Sequence, residues 1–453
     1  MRLSGRIFVL AGLPIIPLMY RENYRANRKW TLTKLRPIEE VLSSPNHSTL
    51  TRWYWLVRPF IFQLTEDPEN AHKIAVISGS LIGEIFSIFN SIKRNFRSLI
   101  IAVANHVYGP SIFPRRGKRE DGAVSRLYSN IGGLSLNLPI GLSAGFDKNA
   151  QMVNFFLHNN LSIGFAEMGS ISALPWLGNP RPRVFRLPED KAVINRMGLN
   201  NDGAQVMAER ITNSDLSVRC VGCSGTPCGV NITKTPDSTI EGEQAVEDFK
   251  KSFVTMIGLK NVKWITLNIS CPNTAEGKTF EDINALESLL ESLTSVDRGT
   301  KKLFLKLAPL GPTCGDGDDW KSKSNAIINV AKKFGIDALI IANTVADRQF
   351  DGLKSEPKIV GERGGLSGRP IFERSIPLVR FAAKHGIDVI AVGGVSAGHD
   401  VYRLIRNGAR AVQLYTALVY DGPGVFLDIA NGLERDLLIG GHSKLEEIIG
   451  IDL

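Results

Sequence analysis

Cysteine is scarce and odd in number, five in 453 residues, which excludes the dense disulfide framework of a small secreted domain. Three of the five, Cys220, Cys223 and Cys228, stand as C-x2-C-x4-C. That spacing resembles a metal site, but no fourth Cys or His follows at a suitable distance. A Gly/Ser-rich entry to a strand is the preferred reading, and no metal is expected. Also missing are a Walker-type phosphate loop, an HExxH helix and a Ser/His/Asp arrangement, so P-loop, zincin and serine-hydrolase chemistry are set aside. Acidic residues are rare near the N-terminus: residues 1–60 hold ten Lys/Arg against three Asp/Glu, and residues 90–126 hold eight against two. Those segments exceed the whole chain's formal charge of +9, so the remainder is mildly acidic. A nucleic-acid binder carries its basic face on the folded domain, and here the pattern is reversed. Targeting, or an anionic membrane surface, accounts for the basic excess better.

Along the chain, residues 1–49 read as a mitochondrial targeting segment with a short apolar anchor, which places the protein at the mitochondrial inner membrane. The competing reading is a secretory signal peptide. Residues 7–20 are largely apolar but broken by Pro14 and Pro17, short of the about 20 residues that cross a bilayer. Residues 50–90 form a helical unit dense in apolar and aromatic side chains. Within it Asp67 is placed to cap a helix whose first residue is Pro68. Such a unit is either core or a lid dipping into a membrane interface. Residues 91–127 are a basic linker, and residues 128–453 are the main domain.

In that domain short apolar runs alternate with helical patterns. Strands are expected at 138–143, 162–168, 228–232, 263–269, 302–307, 337–342, 387–392 and 410–414, separated by helices at 242–260, 282–293, 321–334, 375–385, 398–407 and 424–439. Eight β–α units identify a (β/α)8 TIM barrel, with a doubly wound open sheet as runner-up. A barrel gathers function at the C-terminal ends of its strands. Those ends carry Ser143, Ala144, Gly145 and Lys148; Ser170; Asn231; Asn268; Lys306; Asn343 and Thr344; Gly393 and Gly394; and Tyr415 and Thr416. A glycine-rich loop with Ser367 and Gly368 lies before the seventh strand. Gly368, Gly394 and Thr416 make a phosphate site, and the amides and Lys306 suit a planar heterocycle with carbonyl and N–H edges. A bound flavin mononucleotide (FMN) meets both requirements.

Taken together, SAGFDK (143–148), GNPRPRVFRLPEDKAVINRMGLN (178–200), NISCPNT (268–274), GGLSG (364–368), VGGVS (392–396) and QLYTAL (413–418) resemble dihydroorotate dehydrogenase. The excursion at 178–200 and DPENAH at 67–72 are similar to the membrane-associated, quinone-reducing class. The resemblance implies an FMN enzyme of de novo pyrimidine synthesis that oxidises dihydroorotate to orotate and passes electrons to ubiquinone. A soluble, fumarate-using enzyme is the alternative. By resemblance, Lys148, Asn195, Arg196, Met197, Gly198, Leu199, Asn268, Asn273, Asn343 and Thr344 bind substrate. The flavin site adds Ala342 and shares Asn195 and Asn268. His72, Phe146, Arg186 and Tyr415 line a quinone tunnel beneath the N-terminal helices. Cys271 is the expected base, with Ser270 as fallback. The quinone class usually has serine where this chain has Cys271, and a thiol, with a pKa of about 8.5, needs less help to lose its proton.

Overall fold

The computed structural model describes residues 47–48, 51, 54, 58, 67–91 (side chains through 81), 126–158, 162–215, 226–270, 280–310, 319–346 and 352–453. Thirteen strands are found among them. An antiparallel hairpin comes first, β1 (Ser129–Ile131) and β2 (Leu134–Leu136). The barrel strands are β3 (Ile140–Leu142), β4 (Phe165–Ile171), β7 (Cys228–Ile232), β8 (Val262–Asn268), β9 (Lys302–Lys306), β10 (Ala338–Ile341), β12 (Asp388–Val392) and β13 (Ala411–Leu414). They pair in parallel in that order, and β13 returns to β3, so the sheet is a closed eight-stranded barrel. The open-sheet alternative is thereby excluded. Helices Gly242–Ile257, Ile283–Thr294, Trp320–Lys333, Phe372–Lys384, Gly398–Arg406 and Val425–Ile439 alternate with the strands, as the apolar periodicity requires.

Both faces of these strands are covered, which is why they read as near-continuous apolar runs. Every residue of β4, β7, β10 and β13 is buried. Strand period 2 sends Phe165, Trp264 and Phe304 inward, where Trp264 stacks on Phe304 at 5.9 Å and meets Phe165 edge-on at 6.0 Å. Ile131 and Leu136 of the hairpin pack against this aromatic floor and close the N-terminal end of the barrel. Two glycines make room for it: a Cβ on Gly229 would lie 1.9 Å from the Trp264 ring, and one on Gly141 would lie 2.6 Å from Phe165. The same alternation aims Glu167, Asn231, Asn268, Lys306 and Gln413 into the interior above the floor.

A second sheet lies outside the barrel, formed by β5 (Val184–Leu187), β6 (Ala192–Asn195) and β11 (Gly365–Gly368), all antiparallel. GGLSG is therefore more than a loop. Its register runs Gly365 opposite Asn195 through Gly368 opposite Ala192, so the glycines pair as a strand. Helix α1 (Pro68–Ser91) lies N-terminal to the barrel, with Asp67 Oδ1 accepting from the Glu69 amide at 2.9 Å. It packs on α2 (Val153–His158), and Gly79 makes room for the Met152 methyl, which would lie 2.3 Å from a Cβ there. Among the described residues no helix is long and apolar enough to cross a membrane.

Candidate active site

One cavity of about 960 Å³ opens at the C-terminal end of the barrel and runs out beneath α1. Its inner wall is built from strand ends: Ser143, Ala144 and Gly145 after β3, Ser170 on β4, Asn268 on β8, Lys306 on β9, and Ala342, Asn343 and Thr344 after β10. Lys148, Asn195, Met197, Gly198 and Leu199 add the wall supplied by the loop after β3 and by the excursion. At one end stand Ser367, Gly368, Gly393, Gly394, Tyr415 and Thr416. Gly368 and Gly393 hold φ of +100° and +123°, conformations that L side chains avoid, and a Cβ on Gly368 would meet the Lys191 carbonyl at 2.3 Å. Thr416 donates its hydroxyl to Ser367 Oγ at 2.9 Å, joining β11 to the segment that follows β13.

The outer part of the cavity is apolar and aromatic. His72 lies edge-on to Phe146 at 4.9 Å and stacks with Tyr415 at 6.4 Å, while Phe146 meets Tyr415 at 5.8 Å. Arg186 lines the same passage, and burial lowers its pKa. Burial, then the Lys148 charge, push the His72 pKa down to about 4, so the imidazole is neutral at pH 7. Burial also pushes the Tyr415 hydroxyl up to about 12.

Asp147, beside Lys148, is pushed by burial up to about 6, although its carboxylate accepts the Gln151 and Met152 amides at 2.8 Å each. These two shifts oppose each other. Below about 6.5 the unfolded chain protonates His72 and the folded chain does not, so its contribution to stability falls as pH drops toward 4. Between 3.8 and about 6 folded Asp147 keeps a proton that the unfolded chain has released, so its contribution falls as pH rises. Relative to wild type, His72→Phe should therefore lose melting temperature as pH rises from 4 to 6. Asp147→Asn should lose it as pH falls through the same range. Difference profiles with the same slope would refute the assignment.

Two expected site residues are not brought to the cavity. Asn231 is fully buried below it, donating to Glu167 at 2.7 Å and accepting from Ser170. Arg196 turns away from Asn195: it binds Glu362 at 2.8 Å and the Arg363 and Pro182 carbonyls, and covers the Phe185 ring at 4.7 Å. Cys271 and Asn273 lie outside the described residues, as do Cys220 and Cys223. Cys228 is buried in β7 with its thiol pushed up to about 12, an inert strand position.

Sequence reading passes over two features. Glu167 is one: an acid inside the buried strand FAEMGSI was the available signal. Glu69 is the other. It looks like a first-turn helix acid, yet it is buried and gripped by Arg183 through Nε at 2.9 Å and Nη2 at 2.9 Å, with Arg181 at 2.8 Å. No local signal announces a partner more than a hundred residues away.

A closed parallel barrel with a strand-end cavity that runs from polar to apolar beneath a roof helix has the site placement of (β/α)8-barrel enzymes. The family model for dihydroorotate dehydrogenase matches residues 126–437. A "dihydroorotate dehydrogenase (quinone)" of Natronomonas pharaonis is 34% identical over 88% of this chain and 99% of its own length. That of Roseiflexus sp. is 34% identical over 89% and 99%. The crystal structure of the Eimeria tenella enzyme with ferulenol superposes with a TM-score of 0.65 at 31% identity, over 80% of this chain and 95% of that one. The chain belongs to the dihydroorotate dehydrogenase family, in its quinone-linked class. The expected mitochondrial inner-membrane location is not supported. The quinone-linked relatives from Natronomonas, Haloarcula, Roseiflexus and Novosphingobium are archaeal and bacterial, and the apolar leader on which it rested lies outside the described residues.

The family is flavin-dependent, and the residues present fit such a group. Gln413 lines the cavity with a buried Oε1 that has no hydrogen-bond partner, an acceptor that an N–H of a planar heterocycle would satisfy. Gly368 and Gly393 add no side chain to their end of the cavity, so backbone can approach a ligand closely there.

Proposed function

We propose that this protein oxidises dihydroorotate to orotate with bound FMN and delivers the electrons to ubiquinone, a step of de novo pyrimidine synthesis. The observation that carries this reading is the continuity of one cavity from the Lys306–Asn268 wall to the apolar underside of α1. A pyrimidine needs the polar inner end, and a quinone with an isoprenoid tail needs the greasy outer end.

The flavin, when bound, would supply the two-electron chemistry. The protein would supply position and proton transfer. Lys148 offers a cation to the substrate carboxylate, while Asn195, Asn268 and Asn343 offer amides to the ring. Ser367, Gly368, Gly393, Gly394 and Thr416 would hold the phosphate. Lys306, buried at the polar edge, would place a positive charge by the flavin ring. Cys271 would take the proton from the substrate. His72, Phe146, Arg186 and Tyr415 would border the quinone path.

The roof helix supports a lipid-dissolved acceptor. Ile74, Ile77 and Leu81 repeat at helical spacing and are 56%, 55% and 59% exposed, a stripe suited to a membrane interface. Steady-state assays offering a ubiquinone analogue and fumarate separately test the reading. The quinone should support turnover and fumarate should not. Turnover with fumarate alone would favour the soluble-type alternative, and no bleaching of bound flavin by dihydroorotate would reject both.

A further inference from the structure

We propose that the loop Leu174-Pro175-Trp176-Leu177 is a membrane-contacting element in its own right, which sets the rim of the cavity on the surface of a lipid bilayer together with helix α1. The proposal rests on the quinone-linked reading above and adds to it a segment that none of the assigned chemistry uses.

Leu177 is 90% exposed and Leu174 53%, with Pro175 exposed between them and Trp176 partly buried alongside. The loop is not a slack one. Trp176 exchanges both backbone hydrogen bonds with Asn201 at 2.9 Å, and Ser172 donates its hydroxyl to the Leu174 carbonyl at 2.8 Å. The Leu174 amide donates to Thr235 Oγ1 at 3.3 Å, and the Leu177 carbonyl accepts from Arg183 Nη1 at 2.8 Å. A fixed backbone therefore holds two leucines out in water, where a loop free to collapse would bury them. Clustered apolar side chains on a rigid support mark a contact surface rather than scattered surface residues.

Arg183 fixes where that surface lies. Its Nη1 bonds the Leu177 carbonyl, while its Nε and Nη2 bond Glu69 in the first turn of α1. One guanidinium thus ties the loop to the roof. On α1, Glu69, Lys73, Ile77 and Leu81 follow one another at the four-residue spacing of a single helix ridge. That ridge starts at the loop and runs into the exposed stripe of Ile74, Ile77 and Leu81. Lys73 is exposed on it, a cation placed for lipid phosphates, and tryptophan is a side chain that favours the headgroup level. The occupant follows from the acceptor. A quinone with an isoprenoid tail is dissolved in bilayer hydrocarbon, and the cavity runs out beneath α1, so its mouth has to meet lipid. A loop tied to the first turn of α1 stands at the same rim and meets the same surface.

The test is partitioning of the full-length holoenzyme onto vesicles of phosphatidylcholine with a minor share of phosphatidylglycerol. Contacts engaged together multiply their effects, so the loss of one registers even where others hold. Leu177→Glu should lower the partition coefficient about tenfold, the scale of one leucine withdrawn from an apolar phase. Val254→Glu adds the same charge at an exposed apolar position in the last turn of Gly242–Ile257, a helix that runs back to the opposite end of the barrel, and should stay within about twofold of wild type. The difference in emission between wild type and Trp176→Phe isolates Trp176. It should move to the blue on vesicles and be quenched by lipids brominated high on their acyl chains. In Leu177→Glu, flavin reduction by dihydroorotate and turnover with a water-soluble quinone analogue should stay within about twofold of wild type. Turnover with a long-tailed ubiquinone in the vesicles should fall about tenfold at low lipid and recover at saturating lipid. The proposal is overturned if Leu177→Glu partitions as wild type does, if Val254→Glu loses as much, or if Trp176 emission ignores the lipid. It is also overturned if Leu177→Glu turns a dimer into a monomer with partitioning unchanged, for the patch would then join two copies of the chain. A wild-type protein that reduces no quinone, soluble or long-tailed, would overturn the functional reading itself, and this inference with it.

Discussion

Cys271→Ala is expected to keep its flavin and to be reduced by dihydroorotate about 10²–10⁴-fold more slowly, the range lost with a general base. Stopped-flow bleaching of the flavin measures it, and an unchanged rate would remove Cys271 from the mechanism. The described structure bears on this through the neighbour. Ser270, the alternative base, is 1% exposed, gives its hydroxyl proton to Asn268 Oδ1 and receives a hydrogen bond from Asn343 Nδ2. A serine acts as a base only when its own proton has a basic acceptor, and here that proton is given to an amide carbonyl. Ser270→Ala should therefore act through Asn268 and Asn343. It should weaken orotate binding and slow flavin reduction by only about tenfold, the scale of one or two hydrogen bonds. The ranking of the two variants discriminates: if Ser270→Ala is the slower, the base has been misassigned. Cys271→Ser should fall between wild type and Cys271→Ala, because the hydroxyl is a far weaker acid than the thiol and lacks a ready acceptor for its proton.

The barrel was legible because parallel strands buried on both faces become apolar runs, and β9 is found at Lys302–Lys306 where 302–307 was expected. The convergence of strand ends was legible for the same reason, since closure of a barrel brings them together whatever their sequence. What period 2 does not encode is height. It tells that Asn231 points inward, but its register opposite Gly169 and Thr266 sets it beneath the cavity wall, where it serves Glu167. Nor does a glycine pair reveal whether it turns or pairs. Gly365 is required because a Cβ would lie 1.9 Å from the Thr344 hydroxyl, a contact between segments with no common local pattern. Arg196 follows Asn195 out of a strand, and the alternation that brings one to the cavity sends the other to Glu362. The leader, by contrast, was read from composition alone, and composition does not specify a compartment.

Glu69→Ala is expected to uncouple the roof from the barrel and so separate the two half-reactions. Glu69 is 4% exposed and its partner Arg183 7%, with two parallel N–H···O bonds, the strongest ion-pair geometry available to these side chains. The hydrogen bond from Arg183 holds the Glu69 carboxyl below the usual range, so the pair's contribution is present above the ordinary glutamate pKa and is lost as pH falls through the lowered one. Removing one member of such a pair costs about 3–5 kcal/mol, because a buried charge is left without its counter-ion. Here the loss is local. Arg183 keeps the Leu177 and Asn179 carbonyls at 2.8 and 2.9 Å, so the excursion stays folded. Helix α1, in contrast, loses its ion pairs to Arg181 and Arg183 and keeps only the looser Asp67–Arg181 contact at 3.8 Å among those described. Reduction of the flavin by dihydroorotate uses residues of the barrel and should stay within about threefold of wild type. Turnover with a ubiquinone analogue uses the passage under α1, and its KM should rise by about tenfold or more. Protease nicking within 67–91 should appear at temperatures where the barrel is intact, since the roof now opens at a fraction of the global cost. Equal losses in both half-reactions would mean that Glu69 supports the barrel itself, and that the roof and the pyrimidine site are one cooperative unit.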